Sequence, residues 1–170
     1  ASIAIGDVSQ ATSNAAIAVG RRAASSGTNS ISMGNLATAT GTNDVMIGYQ
    51  AGQLATATGG GNIGIGHAAM LEMGAASTHN TAVGQGAFQR STGSNNIALG
   101  YLANQNVAGA INDTIAIGSS AQATADSSIA IGDGARATGV QSISIGTGNV
   151  VTGANSGAIG DPSIINGASS

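Results

Sequence analysis

A five-residue pattern ending in glycine returns eleven times in this chain, always in phase with a longer unit. The closing glycines are Gly6, Gly20, Gly34, Gly48, Gly66, Gly84, Gly100, Gly118, Gly132, Gly146 and Gly160. Their spacings are 14, 14, 14, 18, 18, 16, 18, 14, 14 and 14 residues. Self-similarity at so short a period specifies stacked coils, each contacting only its neighbours, and argues against a globule.

Each column of the pattern has a physical meaning. The residue before the glycine is Ile, Val, Leu or Met in all eleven copies. Two residues earlier it is aliphatic in nine, with Thr81 and Gly157 as the exceptions. The residue between is Ala, Ser or Gly in ten, and only Met46 departs. Large-small-large alternation has period 2, the signature of a strand with two different faces. Glycine then ends the strand, where a turn costs it least. Three residues on, Ala recurs at 23, 37, 51, 69, 87, 103, 121 and 135, and a second glycine often closes the unit, as at Gly27, Gly41, Gly139, Gly153 and Gly167. Each unit therefore reads strand, turn, strand, turn. Eleven coils at the strand spacing span about 50 Å.

Alternation does not say which face turns inward. Ile and Val opposing Ala would fill a narrow interior and leave a smooth, uncharged small-residue face for a partner chain. Alternatively, the small face lines the roll and the Ile face meets the neighbour. Either arrangement predicts self-association along the axis.

Composition excludes several function classes. Aromatics are 2% and charged residues 6%, too few of either for an ordinary globular core and surface. With 42% hydrophobic residues and a net charge of −3, the chain does not read as disordered. Four Arg and no Lys offer no basic patch, so no nucleic-acid partner is expected. Cysteine is absent, and no apolar run approaches the ~20 residues of a membrane helix. No signal peptide is visible, and the chain reads as a piece of a longer protein.

Motifs that would carry chemistry fare poorly. Gly64-x-Gly66-x-x-Ala69 matches a loose dinucleotide fingerprint but lies in phase with the repeat and lacks its helix. Gly59-Gly60-Gly61-Asn62 lacks the aspartates of calcium-binding repeats. His67 and His79 are the only imidazoles, fewer than a metal site needs. Ala37-Thr38-Ala39-Thr40 and Ala55-Thr56-Ala57-Thr58 suggest a threonine array of the ice-binding kind. The column four residues after each glycine, read as outward, interrupts it with Gln10, Ala24, Gly52, Met70, Phe88 and Arg136. No catalytic residue, cofactor or metal is expected.

The four long coils, between Gly48 and Gly118, are consecutive and should stack as a ridge of loops. They hold Tyr49, His67, Met70, His79, Phe88, Arg90 and Tyr101, the candidate ligand contacts, because loops on a rigid scaffold often carry function and aromatics with Arg favour binding surfaces. The competing reading is that these side chains cover the widened coils or bridge neighbouring chains. The chain divides accordingly: one repeat domain over 1–170, with regular coils over 1–48, longer coils over 49–118, and regular coils over 119–170.

The SxAxG units at 14-residue spacing resemble the YadA-like head of trimeric autotransporter adhesins. Residues 128–139 (SIAIGDGARATG) and 142–153 (SISIGTGNVVTG) carry the resemblance most clearly, and it extends over essentially the whole chain. It implies an all-β, left-handed parallel β-roll assembled as a homotrimer. It also implies a virulence-associated adhesin at the bacterial surface, attaching to host cells or extracellular matrix. The resemblance implies an outer-membrane anchor in a C-terminal segment beyond these residues. Gly160-Asp161-Pro162 resembles a segment that precedes the neck of such heads. Residues 80–93 (NTAVGQGAFQRSTG) and 95–103 (NNIALGYLA) resemble repeats of phage tail-fibre proteins, so a structural fibre shaft is the alternative.

Overall fold

A computed structural model describes residues 1–56, 59–107, 109–160 and 162–170. Two residues of the second alanine–threonine run, Ala57 and Thr58, lie outside the described residues, as does Asp161 of the Gly-Asp-Pro segment.

Eleven three-residue strands, from Ile3–Ile5 to Gly157–Ile159, pair in parallel and in chain order to form one sheet. Like residues stack on like: Ile115 pairs with Ile129, Ala116 with Ala130, and Ile117 with Ile131. The expected all-β parallel solenoid of eleven coils is what the chain forms. A second set of two-residue strands lies on the other side of the regular coils. It forms a three-stranded sheet over Gln10–Ala11, Ala24–Ser25 and Thr38–Ala39, and a four-stranded sheet from Gln122–Ala123 to Ile164–Ile165.

The strand-ending glycines form a column of their own. Gly84 has φ 135°, and a Cβ on it would land on the carbonyl oxygen of Gly100 in the next coil. Both the dihedral and the stacking distance therefore exclude a side chain there.

The alternation resolves opposite to the arrangement in which Ile and Val fill the interior. Ala18, Ser32, Met46, Ala82, Ala98, Ala116, Ala130 and Ser144 are fully buried, and the flanking Ile and Val columns face outward. The reason is thickness. The Ser32 hydroxyl, a single atom beyond Cβ, donates a 2.6 Å hydrogen bond to the Ala24 carbonyl on the opposite strand. Two backbones that close leave room for Ala against Ala and none for Ile. Ala23, Ala37, Ala121 and Ala135 complete the interior from the second side.

The outer face of the long sheet is consequently two columns of mainly aliphatic side chains about 50 Å long. Ile65, Val83, Ile97 and Ile143 are among its exposed members.

Candidate ligand-binding surface

Each coil has two edges, and the structure distributes the predicted contact residues over both edges and the interior. One edge is the glycine turn. The residue after each glycine stands there in a column that includes Arg21, Tyr49, His67, Gln85 and Tyr101. Tyr49 is 47% exposed and Tyr101 52%. The Tyr49 and His67 rings lie 5.3 Å apart at 35°, a contact made possible by the strand spacing between successive coils.

The opposite edge carries the insertions. Arg90 donates through Nε to Oε1 of Glu72, 3.0 Å away, joining successive loops. Thr92 and Ala110 form an isolated parallel bridge one coil on. Between these loops runs an open groove in two adjoining parts of about 590 Å³ and 530 Å³, which share Gly74 and Thr92. The first part sets apolar Leu54 and Met73 beside the Arg90–Glu72 pair. The second is lined by small residues with hydroxyl and amide groups, among them Ser94 and Asn112. Such a groove offers shallow, extended contact with little enclosure, which suits a macromolecular ligand better than a small molecule. Among the described residues, no group of three or more His, Asp or Glu stands close enough to hold a metal ion.

Two of the expected contacts are not on the surface. Met70 and Phe88 are completely buried and form part of the core with Met46 and Met73. They belong to the column four residues past each glycine, which faces outward in the regular coils. In the long coils the backbone turns left-handed at that position: φ is 63° at Gly52, 52° at Met70, 51° at Phe88 and 47° at Asn104. The described residues there form turns in place of a second strand. The reversed dihedral swings the side chain inward, where the widened coil has volume to fill. His79 is exposed, with its ring against Gly61. Tyr49, His67 and Tyr101 on the glycine edge are thus separated from Arg90 on the loop edge.

A column absent from the expected contacts proves central. The residues four before the glycines at 48, 66, 84, 100 and 118 are Asp44, Asn62, Asn80, Asn96 and Thr114, all buried. The signal for the three asparagines is that Asn replaces the usual Ser at the head of the repeat in long coils alone.

The family model that matches the chain is the YadA head domain repeat, at residues 1–23, 25–51, 112–135 and 137–161. Together these segments make up more than half of the sequence. They are the regular coils, and the interval between 51 and 112 holds the insertions. No curated protein matches the chain. The in-register glycine column and the thin alanine interior are the physical form of the matched repeat, so the chain belongs to the YadA head family of trimeric autotransporter adhesin-type domains.

Proposed function

We propose that this chain is the head of a bacterial surface adhesin that works as a homotrimer, its loop edges presenting one groove per subunit to a host cell-surface or matrix protein. The outward aliphatic face carries this reading. Parallel sheets are ordinarily covered on both faces, and an uncharged apolar strip this long is an interaction surface. Two further copies related by a threefold axis would cover it symmetrically. Three grooves on one stiff rod would then gain by avidity what each lacks in enclosure.

The test has two parts. Sedimentation of the chain should give a trimer, and Ile97→Asp with Ile115→Asp should release monomers. A stable wild-type monomer would sink the assembly. The trimer should also bind host cells or matrix proteins, and shortening the loops between Gly48 and Gly118 should abolish that binding. Undiminished binding after shortening would move recognition away from the groove, and binding to none of these surfaces would favour a fibre spacer.

A further inference from the structure

In five of the regular coils a tight turn satisfies the backbone N–H of the residue just before the first strand. The N–H groups of Ala16, Ser30, Asp44, Ser128 and Ser142 donate to the carbonyls of Ser13, Gly27, Gly41, Ala125 and Gly139, three residues earlier, at 3.2–3.3 Å. An insertion opens that turn and orphans the donor, and a buried orphan N–H is costly.

In the four widened coils the partner is a side chain of the coil before. Asn62 N–H donates to Oδ1 of Asp44 at 2.9 Å, and Asn80 N–H to Oδ1 of Asn62 at 3.1 Å. Asn96 N–H donates to Oδ1 of Asn80, and Thr114 N–H to Oδ1 of Asn96, both at 3.0 Å. The correspondence is one to one. Asp44, Asn62, Asn80 and Asn96 each stand one coil before a widened turn, and Thr114 stands before Ser128, whose turn closes on its own. The same oxygens also accept from the side chains of Asn62, Asn80, Asn96 and Thr114.

The ladder also grips the loops. Nδ2 of Asn62 donates to the Ser77 carbonyl at 3.1 Å, that of Asn80 to Gly93 at 2.9 Å, and that of Asn96 to Ile111 at 2.8 Å. Ser77 and Gly93 are walls of the groove. Asp44 differs in chemistry because it opens the ladder: its second oxygen accepts from Gly41 N–H at 2.8 Å, a bond an amide nitrogen could not make.

We propose that Asp44, Asn62, Asn80 and Asn96 are the positioning residues of the loop edge: each supplies the acceptor that the next widened turn has lost, and the three asparagines hold the groove's loops in place. An Asp or Asn four residues before the glycine thus announces that the following coil is widened, whereas Ser or Thr there does not. The role assigned to the groove rests on the adhesin reading, but the ladder can be tested without a ligand.

The measurement is native-state amide hydrogen exchange on the assembled chain. Asn80→Ser, whose hydroxyl is too short to span the coils, should speed exchange by about tenfold or more at Asn96 and over residues 91–95. Ser128→Ala, the regular-coil control, should change only its own turn, by less than about threefold. Removing Gln89 and Arg90 returns the coil ending at Gly100 to 14 residues and lets Asn96 close its own turn. In that background Asn80→Ser should cost little, and recovery of folding where Asn80→Ser alone fails to assemble would count the same. An Asn80→Ser effect no larger than the control's, or one untouched by shortening, would overturn the proposal. Neither result bears on whether the groove binds a host protein.

Discussion

Met46 and Gly64 test whether the roll's interior is filled to capacity. Met46 is the one large residue in the inward column of the long sheet, and it pairs directly with Gly64 in the next coil. A Cβ on Gly64 would lie 2.8 Å from Sδ of Met46 and 3.5 Å from Sδ of Met70. Gly64 is not in the left-handed region, so the cost of Gly64→Ala is steric alone. Overpacking of this kind costs ~1–3 kcal/mol, and the flexible thioether places it near ~1–2 kcal/mol. Met46→Ala removes a fully buried side chain and leaves a void, a loss of ~2–5 kcal/mol. The double variant should cost less than the sum by ~1–2 kcal/mol, because the methyl group introduced by Gly64→Ala then occupies space that Met46 has vacated. Urea unfolding of the four proteins at one fixed concentration gives the cycle, since self-association makes stability depend on concentration. Exchange at the Ile63 and Ile65 amides locates the effect. Additivity to within ~0.5 kcal/mol would refute the claim that these two positions compete for one volume.

Three further outcomes follow from single positions. Gly84→Ala meets both an unfavourable dihedral and the Gly100 carbonyl, and since neither backbone can move without its neighbours, a loss above ~3 kcal/mol is expected in thermal unfolding. Ser120 is exposed with φ 53°, so Ser120→Gly should relieve left-handed strain and raise stability by ~0.5–1 kcal/mol, with an unchanged or lowered melting temperature counting against it. Burial pushes the Asp44 carboxyl above its ordinary value of 3.8, against the N–H bonds from Asn62 and Gly41. The folded state then binds this proton more tightly than the unfolded one, so the contribution is greatest below 3.8 and is lost as pH rises through the elevated value. Exchange at the Asn62 amide should therefore slow as pH falls through that window, after correction for intrinsic rates, and Asp44→Asn should remove the dependence.

Much of the fold is legible in the repeat because a solenoid's constraints are local. A glycine column in phase with an alternating triplet states the strand, the turn and the stacking together, since each coil meets only its neighbours. The inward face is not legible in the same way. Period 2 distinguishes two faces but does not say how close the opposing strand lies, and that distance selects Ala over Ile for the interior. A partial clue is present: the one large inward residue, Met46, is followed in the next coil by the one inward Gly, Gly64.

The candidate surface divides along the same line. That the loops cluster on consecutive coils follows from spacing alone. That Met70 and Phe88 turn inward depends on left-handed dihedrals that non-glycine residues rarely adopt and no pattern announces, and that Tyr49, His67 and Tyr101 stand on the edge away from Arg90 depends on which turn of the coil the insertions occupy. The coil, its period and the place where it widens can all be read from the order of residues, because they reside in contacts between identical positions. Which side chains lie inside, which are offered to a partner, and how Asp44 and three asparagines replace the turns the insertions removed emerge only in the folded roll, because each depends on how closely two backbones approach.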